Sequence, residues 1–122
     1  MLQLRSIVTV ADNSGAKVVG VFKVLGGSGR RYAELGDIVV ASVKVAEPRK
    51  GVKKKEIVKC VVVRQRKPFR RKDGTYIRFD DNAVVILAAG AEPKGGRIFG
   101  PIPREIKERG FNTIASLAEE VV

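Results

Sequence analysis

Fourteen lysines and arginines fall within the 35 residues from Lys44 to Arg78, against three acids, Glu47, Glu56 and Asp73. Residues 1–43 net +2 and residues 79–122 net −2, so this one segment carries the whole +11 of the chain. Like charges crowded together repel and cost folding free energy unless a polyanion neutralises them. The chemistry these residues offer is phosphate neutralisation, and their clustering points to nucleic acid. They form two stretches. Glu47-Pro48-Arg49-Lys50-Gly51-Val52-Lys53-Lys54-Lys55-Glu56 carries Pro and Gly and reads as a turn-rich loop. Residues 64–79 read as a basic β-hairpin ribbon with Asp73-Gly74 at its tip, because Asp-Gly between strand-like residues is a strong hairpin signal. Period-two geometry puts Arg64 and Arg66 on one face, and Arg70 and Lys72 on one face further along. A third loop, Gly26-Gly27-Ser28-Gly29-Arg30-Arg31, either offers backbone N–H groups and two arginines to phosphates or is a plain flexible connection.

Other chemistries are poorly supplied. The chain has no histidine and one cysteine, Cys60. This excludes a Cys/His zinc site, a histidine-based catalytic triad and an internal disulfide. No carboxylate cluster argues for a magnesium site, and Asp80-Asp81 reads as a turn. The glycine-rich loop lacks both GxxxxGK[ST] and GxGxxG, so a nucleotide site is not expected. Neither cofactor nor metal is expected, and neither is an enzymatic activity. The seven aromatics include no RNP-type pair, which favours phosphate and shape recognition of folded RNA over base stacking.

The elements that must hold the charges are mostly strands. Runs rich in Val and Ile recur between Gly, Asp and Asn punctuation: 7–10, 18–25, 37–45, 57–64 and 83–88. Several are nearly continuous rather than alternating, so both faces should be covered. Five short strands suggest a small closed barrel, which removes exposed edges. The basic loop and the ribbon then attach at opposite ends of the fourth strand. In the stretch Gly95–Pro101, Phe99 is expected to plug the barrel end while Arg97 points outward. Pro103 opens one short helix, stopped by Gly110, and Thr113 caps a second. Ile106, Phe111, Ile114 and Leu117 should anchor both to the barrel. Cys60 reads as inert core. The length suits one domain over 1–122, with the barrel and ribbon in 1–102 and a helical region in 103–122. No run is apolar and long enough to span a membrane, and the start does not read as a signal peptide, so an intracellular protein is expected.

Three rivals to a structural RNA-binding protein have their own signatures. A mobile RNA-binding barrel, such as a translation factor or chaperone, would favour exposed aromatics. An enzyme would need a nucleophile and base in a cleft. A membrane-surface binder would want an amphipathic basic helix rather than basic strands and loops.

Several short motifs occur in order along the chain: Val10-Ala11-Asp12-Asn13-Ser14-Gly15-Ala16; Arg31-Tyr32-Ala33 with Gly36-Asp37-Ile38-Val39-Val40-Ala41; Asp73-Gly74-Thr75-Tyr76-Ile77-Arg78-Phe79-Asp80; Gly96-Arg97-Ile98-Phe99-Gly100-Pro101 with Arg104-Glu105; and Ser116-Leu117-Ala118. Together they resemble bacterial large-subunit ribosomal protein fourteen, essentially end to end. The resemblance implies a five-stranded barrel with a protruding ribbon and two short C-terminal helices. It implies a cytoplasmic structural constituent of the large ribosomal subunit that acts in translation and binds large-subunit rRNA. Its partners would be neighbouring large-subunit proteins, small-subunit rRNA at bridges and a ribosome-silencing factor. The expected RNA contacts are Arg30, Arg31, Lys44, Arg49, Lys50, Lys53, Lys54, Lys55, Arg64, Arg66, Lys67, Arg70, Arg71, Lys72 and Arg78. The protein and factor contacts carried over are Arg97, Thr113 and Ser116. Gly96 stands where the family usually has Thr, Thr113 where it often has Lys, and Glu119 where it usually has Pro. These departures touch the silencing-factor surface and leave the RNA-binding expectation intact.

Overall fold

A computed structural model describes residues 2–3, 6–26, 32–48 and 51–122. The elements run β1 (Leu2–Gln3), β2 (Ile7–Val10), β3 (Ala16–Val24), β4 (Tyr32–Ala33), β5 (Ile38–Ala46), β6 (Ile57–Arg64), β7 (Phe69–Arg70), β8 (Tyr76–Ile77), β9 (Ala83–Ala89), β10 (Glu92–Pro93), β11 (Ile98–Ile102), α1 (Glu105–Glu108), α2 (Asn112–Leu117) and β12 (Ala118–Val121). The five expected strands are present within a residue or two of their sequence bounds. They close in the order β2-β3-β5-β6-β9, with β9 returning to β2 in parallel and every other pair antiparallel.

Inward side chains fill the barrel: Val19, Val21, Val39, Val43, Cys60, Val62, Val84 and Ile86 are buried. Burial pushes the Cys60 thiol up to about 12, helped by the charge of Asp12, so this cysteine is core rather than nucleophile. A second apolar cluster lies outside the wall. Val61, Val63, Ala83, Val85 and Leu87 are covered by Ile98, Ile102, Ile106, Phe111 and Ile114 from the tail. This double burial explains the unbroken apolar runs Cys60–Val63 in β6 and Ala83–Leu87 in β9: both faces of these stretches are dry. Elsewhere the wall is open, and Ile7, Thr9, Phe22, Lys23, Lys44 and Lys59 are exposed on β2, β3, β5 and β6.

The tail corrects several expectations. The last residues are not helical: Ala118–Val121 form β12, parallel to β11. Phe99 does not plug the barrel. Side chains alternate along β11, so Ile98 is fully buried and Phe99 is 43% exposed. Thr113 does not cap α2, which begins at Asn112 after Phe111, with no side-chain cap. Buried Phe111 and Ile114 hold that helix from its packed face, while Gly110 ends the α1 turn at φ +96°. The ribbon is shorter than residues 64–79. Only Phe69–Arg70 and Tyr76–Ile77 form a ladder, joined by a turn in which Gly74 N–H donates to the Arg71 carbonyl and Gly74 takes φ +87°. Two short pairings carried no sequence signal, β1 with β4 and β10 with β9.

Candidate nucleic-acid interface

The two basic stretches sit at opposite ends of β6, as expected from their order in the chain. At the Ile57 end, the 51–56 loop presents Lys53, Lys54 and Lys55 to solvent. The loop is shaped from within: Lys53 N–H donates to Glu56 Oε2 at 3.1 Å, and Val52 is buried. Lys55 adopts φ +71°, a left-handed conformation that costs a non-glycine residue free energy. Arg49 and Lys50, at the start of this loop, lie outside the described residues, as do Arg30 and Arg31.

At the other end of β6 the cations divide into two kinds. Arg66, Lys67, Arg70, Lys72 and Arg78 are exposed. Arg64 and Arg71 are not, with side chains only 11% and 12% exposed. Arg64 Nε lies 3.1 Å from Asp81 Oδ1, and Arg64 Nη1 donates to the carbonyls of Phe99 at 2.9 Å and Pro101 at 3.4 Å. Its guanidinium therefore ties the end of β6 to β11. Gly100, at φ +78°, is the gap through which it passes: a Cβ there would run into Arg64 Nη1. Arg64 and Arg66 do not share a face, because β6 ends at Arg64 and the chain bends. Arg66 N–H donates instead to Asn82 Oδ1 at 2.9 Å. The Asp80–Asn82 turn thus supplies both a counter-ion and a backbone partner.

Arg71 faces away from Arg70 and Lys72. Its Nη2 lies 3.1 Å from Glu105 Oε1 and donates to the Val122 carbonyl at 2.7 Å. Arg104 Nη2 lies 3.6 Å from Asp73 Oδ2 at the ribbon tip. Asp73 Oδ1 also accepts from Thr75 N–H at 3.0 Å and Thr75 Oγ1 at 2.6 Å, which holds its carboxyl below the usual range. The ribbon is therefore fastened to α1 rather than free-standing. A cleft of about 510 Å³ between them is lined by Arg70, Lys72, Arg104 and Arg109 among others. Arg109 is drawn toward Asp37 Oδ1, at 3.2 Å.

Away from these ends, Asn13 Oδ1 accepts from the amides of Gly96 and Arg97 at 2.9 and 3.1 Å and pins the 95–97 loop. Neighbouring Asp12 is buried. Its Oδ1 accepts from Ser14 Oγ at 2.6 Å and its Oδ2 from Ile86 N–H at 3.1 Å. Burial pushes its carboxyl up despite these bonds. In the sequence this segment stands only as polar punctuation after the first strand, and the short Asp-Asn-Ser run was the available signal for the role. Arg97 is exposed, sits 5.5 Å over the Phe99 ring and reaches Glu119 at 3.9 Å. Glu119 also accepts from Gly100 N–H at 3.0 Å. Thr113 Oγ1 donates to Glu92 Oε1 at 3.3 Å, and Ser116 Oγ donates to the Thr113 carbonyl at 2.8 Å, so both hydroxyls are used within the protein. Among the described residues, no three acidic or sulfur ligands gather to hold a metal. No described helix is long and apolar enough to cross a membrane.

The fold and charge define a small, strongly cationic β-barrel protein. Its whole length, residues 1–122, matches the family of ribosomal protein L14p/L23e. The chain belongs to that family and is a structural protein of the large ribosomal subunit.

Proposed function

We propose that the protein binds large-subunit rRNA through phosphate contacts at the two ends of β6, acting as one domain in the cytoplasmic ribosome. The carrying observation is that Lys53, Lys54, Lys55, Arg66, Arg70, Lys72 and Arg78 are exposed and form no ion pair among the described residues. Cations held on folded loops without internal counter-ions are ready to neutralise phosphates. Arg64 and Arg71 support the surface from behind. Family membership favours a seat among neighbouring large-subunit proteins, at the subunit interface and near bridges to small-subunit RNA, and a structural rather than an enzymatic role.

Sucrose-gradient sedimentation of a lysate tests this reading. The protein should travel with large subunits at about one copy each and survive moderate salt, given many phosphate contacts. Migration wholly apart from large subunits would overturn it.

The face around Arg97, Thr113 and Ser116 is read as a protein contact, with a ribosome-silencing factor as its occupant. Exposed Arg97 supports this, while the hydroxyls of Thr113 and Ser116, both hydrogen-bonded within the protein, leave less to recognise. Gly96→Thr is a clean probe, because a Cβ at Gly96 meets nothing within 4 Å. The substitution should tighten factor binding without altering the melting temperature; unchanged factor affinity counts against the assignment.

A further inference from the structure

The tail covers only half of the barrel wall. On the open half, the ladders place Ile7, Gly20, Ser42 and Ile57 in one row across β2, β3, β5 and β6. Ile7 and Ile57, at its ends, are 69% and 67% exposed. Between them Gly20 is buried and Ser42 half-buried. The Lys44 stem covers Gly20: a Cβ there would lie 2.9 Å from Lys44 Cε. Glycine at 20 thus lets the Lys44 chain lie close over the sheet. Two residues along β6, Lys23 and Lys59 flank Val40 in another row. Lys23, Lys44 and Lys59 are exposed and make no ion pair among the described residues.

We infer that this open wall is itself an RNA-contact face, which takes a sugar–phosphate backbone laid over the Lys44 stem between Ile7 and Ile57. Lys23, Lys44 and Lys59 meet phosphates, and Ile7 and Ile57 pack on ribose. The charge favours this occupant. A bare apolar face would suit a protein, but here three ammonium groups without an ion-pair partner among the described residues flank the apolar row, and Lys53–Lys55 continue the cationic strip from the Ile57 end. A backbone of phosphates joined by sugars matches a face that sets lysines beside exposed isoleucines. The inference rests on the rRNA-binding reading above and extends it from the barrel ends to the wall between them.

Amine-reactive labelling of the full chain, free and bound to deproteinised large-subunit rRNA, tests it by mass spectrometry. Lys23, Lys44 and Lys59 should lose reactivity together with Lys53–Lys55. Lys44→Gln with Lys59→Gln should lower affinity and reduce the log–log salt slope by about 1.4–1.8, from 0.7–0.9 per contact. Ile57→Ser should lower affinity with the slope unchanged, the signature of an apolar contact. If Lys53–Lys55 are protected and the wall lysines are not, the wall inference fails while the RNA reading stands. If neither group is protected, both fail. If the wall lysines are protected only in whole subunits and not on bare rRNA, a protein covers this face and the inference is overturned.

Discussion

Arg64 and Arg66 carry the same charge two residues apart, yet one is consumed inside the protein and the other faces solvent. What separates them is distant in sequence: Asp81, and the carbonyls of Phe99 and Pro101. Removing the Arg64 head takes a donor from those carbonyls and the ion pair from Asp81, which keeps the Thr9 hydroxyl at 3.4 Å, and partly buried polar groups that lose partners cost free energy. Arg64→Ala should therefore destabilise the fold by about 2 kcal/mol, discounted for the partial exposure of Asp81. Thermal unfolding should show this as a drop of roughly 8 °C at this size. An unchanged melting temperature would show that the tie to β11 contributes nothing. Asp12 makes the opposite kind of statement. Its folded-state value lies above the ordinary 3.8, so the native state binds its proton more readily than the unfolded chain. The stability it contributes is fully present below 3.8 and is lost as pH rises through the raised value. Compared with Asp12→Asn, which cannot titrate, the unmodified protein should gain stability as pH falls from 7 toward 4. Parallel melting curves against pH for the two proteins would contradict this.

At the scale of elements, the ribbon and the tail behave as one unit. Sequence period separates Arg71 from Arg70 and Lys72, and the structure gives the separation a purpose. Arg71 holds Glu105 and Val122 at a nearly buried contact, while the Arg104–Asp73 pair is half exposed and worth little. Arg71→Ala should cost about 2 kcal/mol and speed amide exchange across 69–77, since a partner left behind in a buried pair is costly. Arg70→Ala with Lys72→Ala should stay within about 0.5 kcal/mol per site, the usual range for surface changes, and yet weaken rRNA binding. Equal exchange rates in both variants would mean that the ribbon is not fastened through Arg71. The barrel strands were legible because branched residues and turn punctuation mark them locally. β12 was not: Ala118-Glu119-Glu120-Val121 has little strand preference and pairs only because the tail folds back beside β11. The mistaken role for Phe99 has the same origin, because which of two adjacent apolar residues faces inward is settled only once a strand and its register exist. The α2 start is likewise set by burial of Phe111 and not by a local capping signal.

For the molecule as a whole, the useful quantity is the separation of the two free cationic groups. Lys53–Lys55 precede Ile57, and Arg66, Arg70 and Lys72 follow Arg64. The eight-residue strand between them spans roughly 23 Å at 3.3 Å per residue. That exceeds a Debye length of about 8 Å at physiological salt, so the two zones barely sense each other's charge. Sites so far apart with no shared partner should act additively. Replacing Lys53, Lys54 and Lys55 with Gln should reduce the log–log salt slope of rRNA binding by about 2–3. Arg70→Ala with Lys72→Ala should reduce it by about 1.4–1.8, at 0.7–0.9 per phosphate contact. The five-site variant should lose the sum. Arg64 and Arg71 are left intact in this set, because altering either would mix lost folding with lost binding. Titrations of rRNA at several salt concentrations, with melting temperatures recorded alongside, give both quantities. A five-site slope loss no greater than the larger of the two separate losses would mean that RNA engages one end of the barrel at a time rather than both at once.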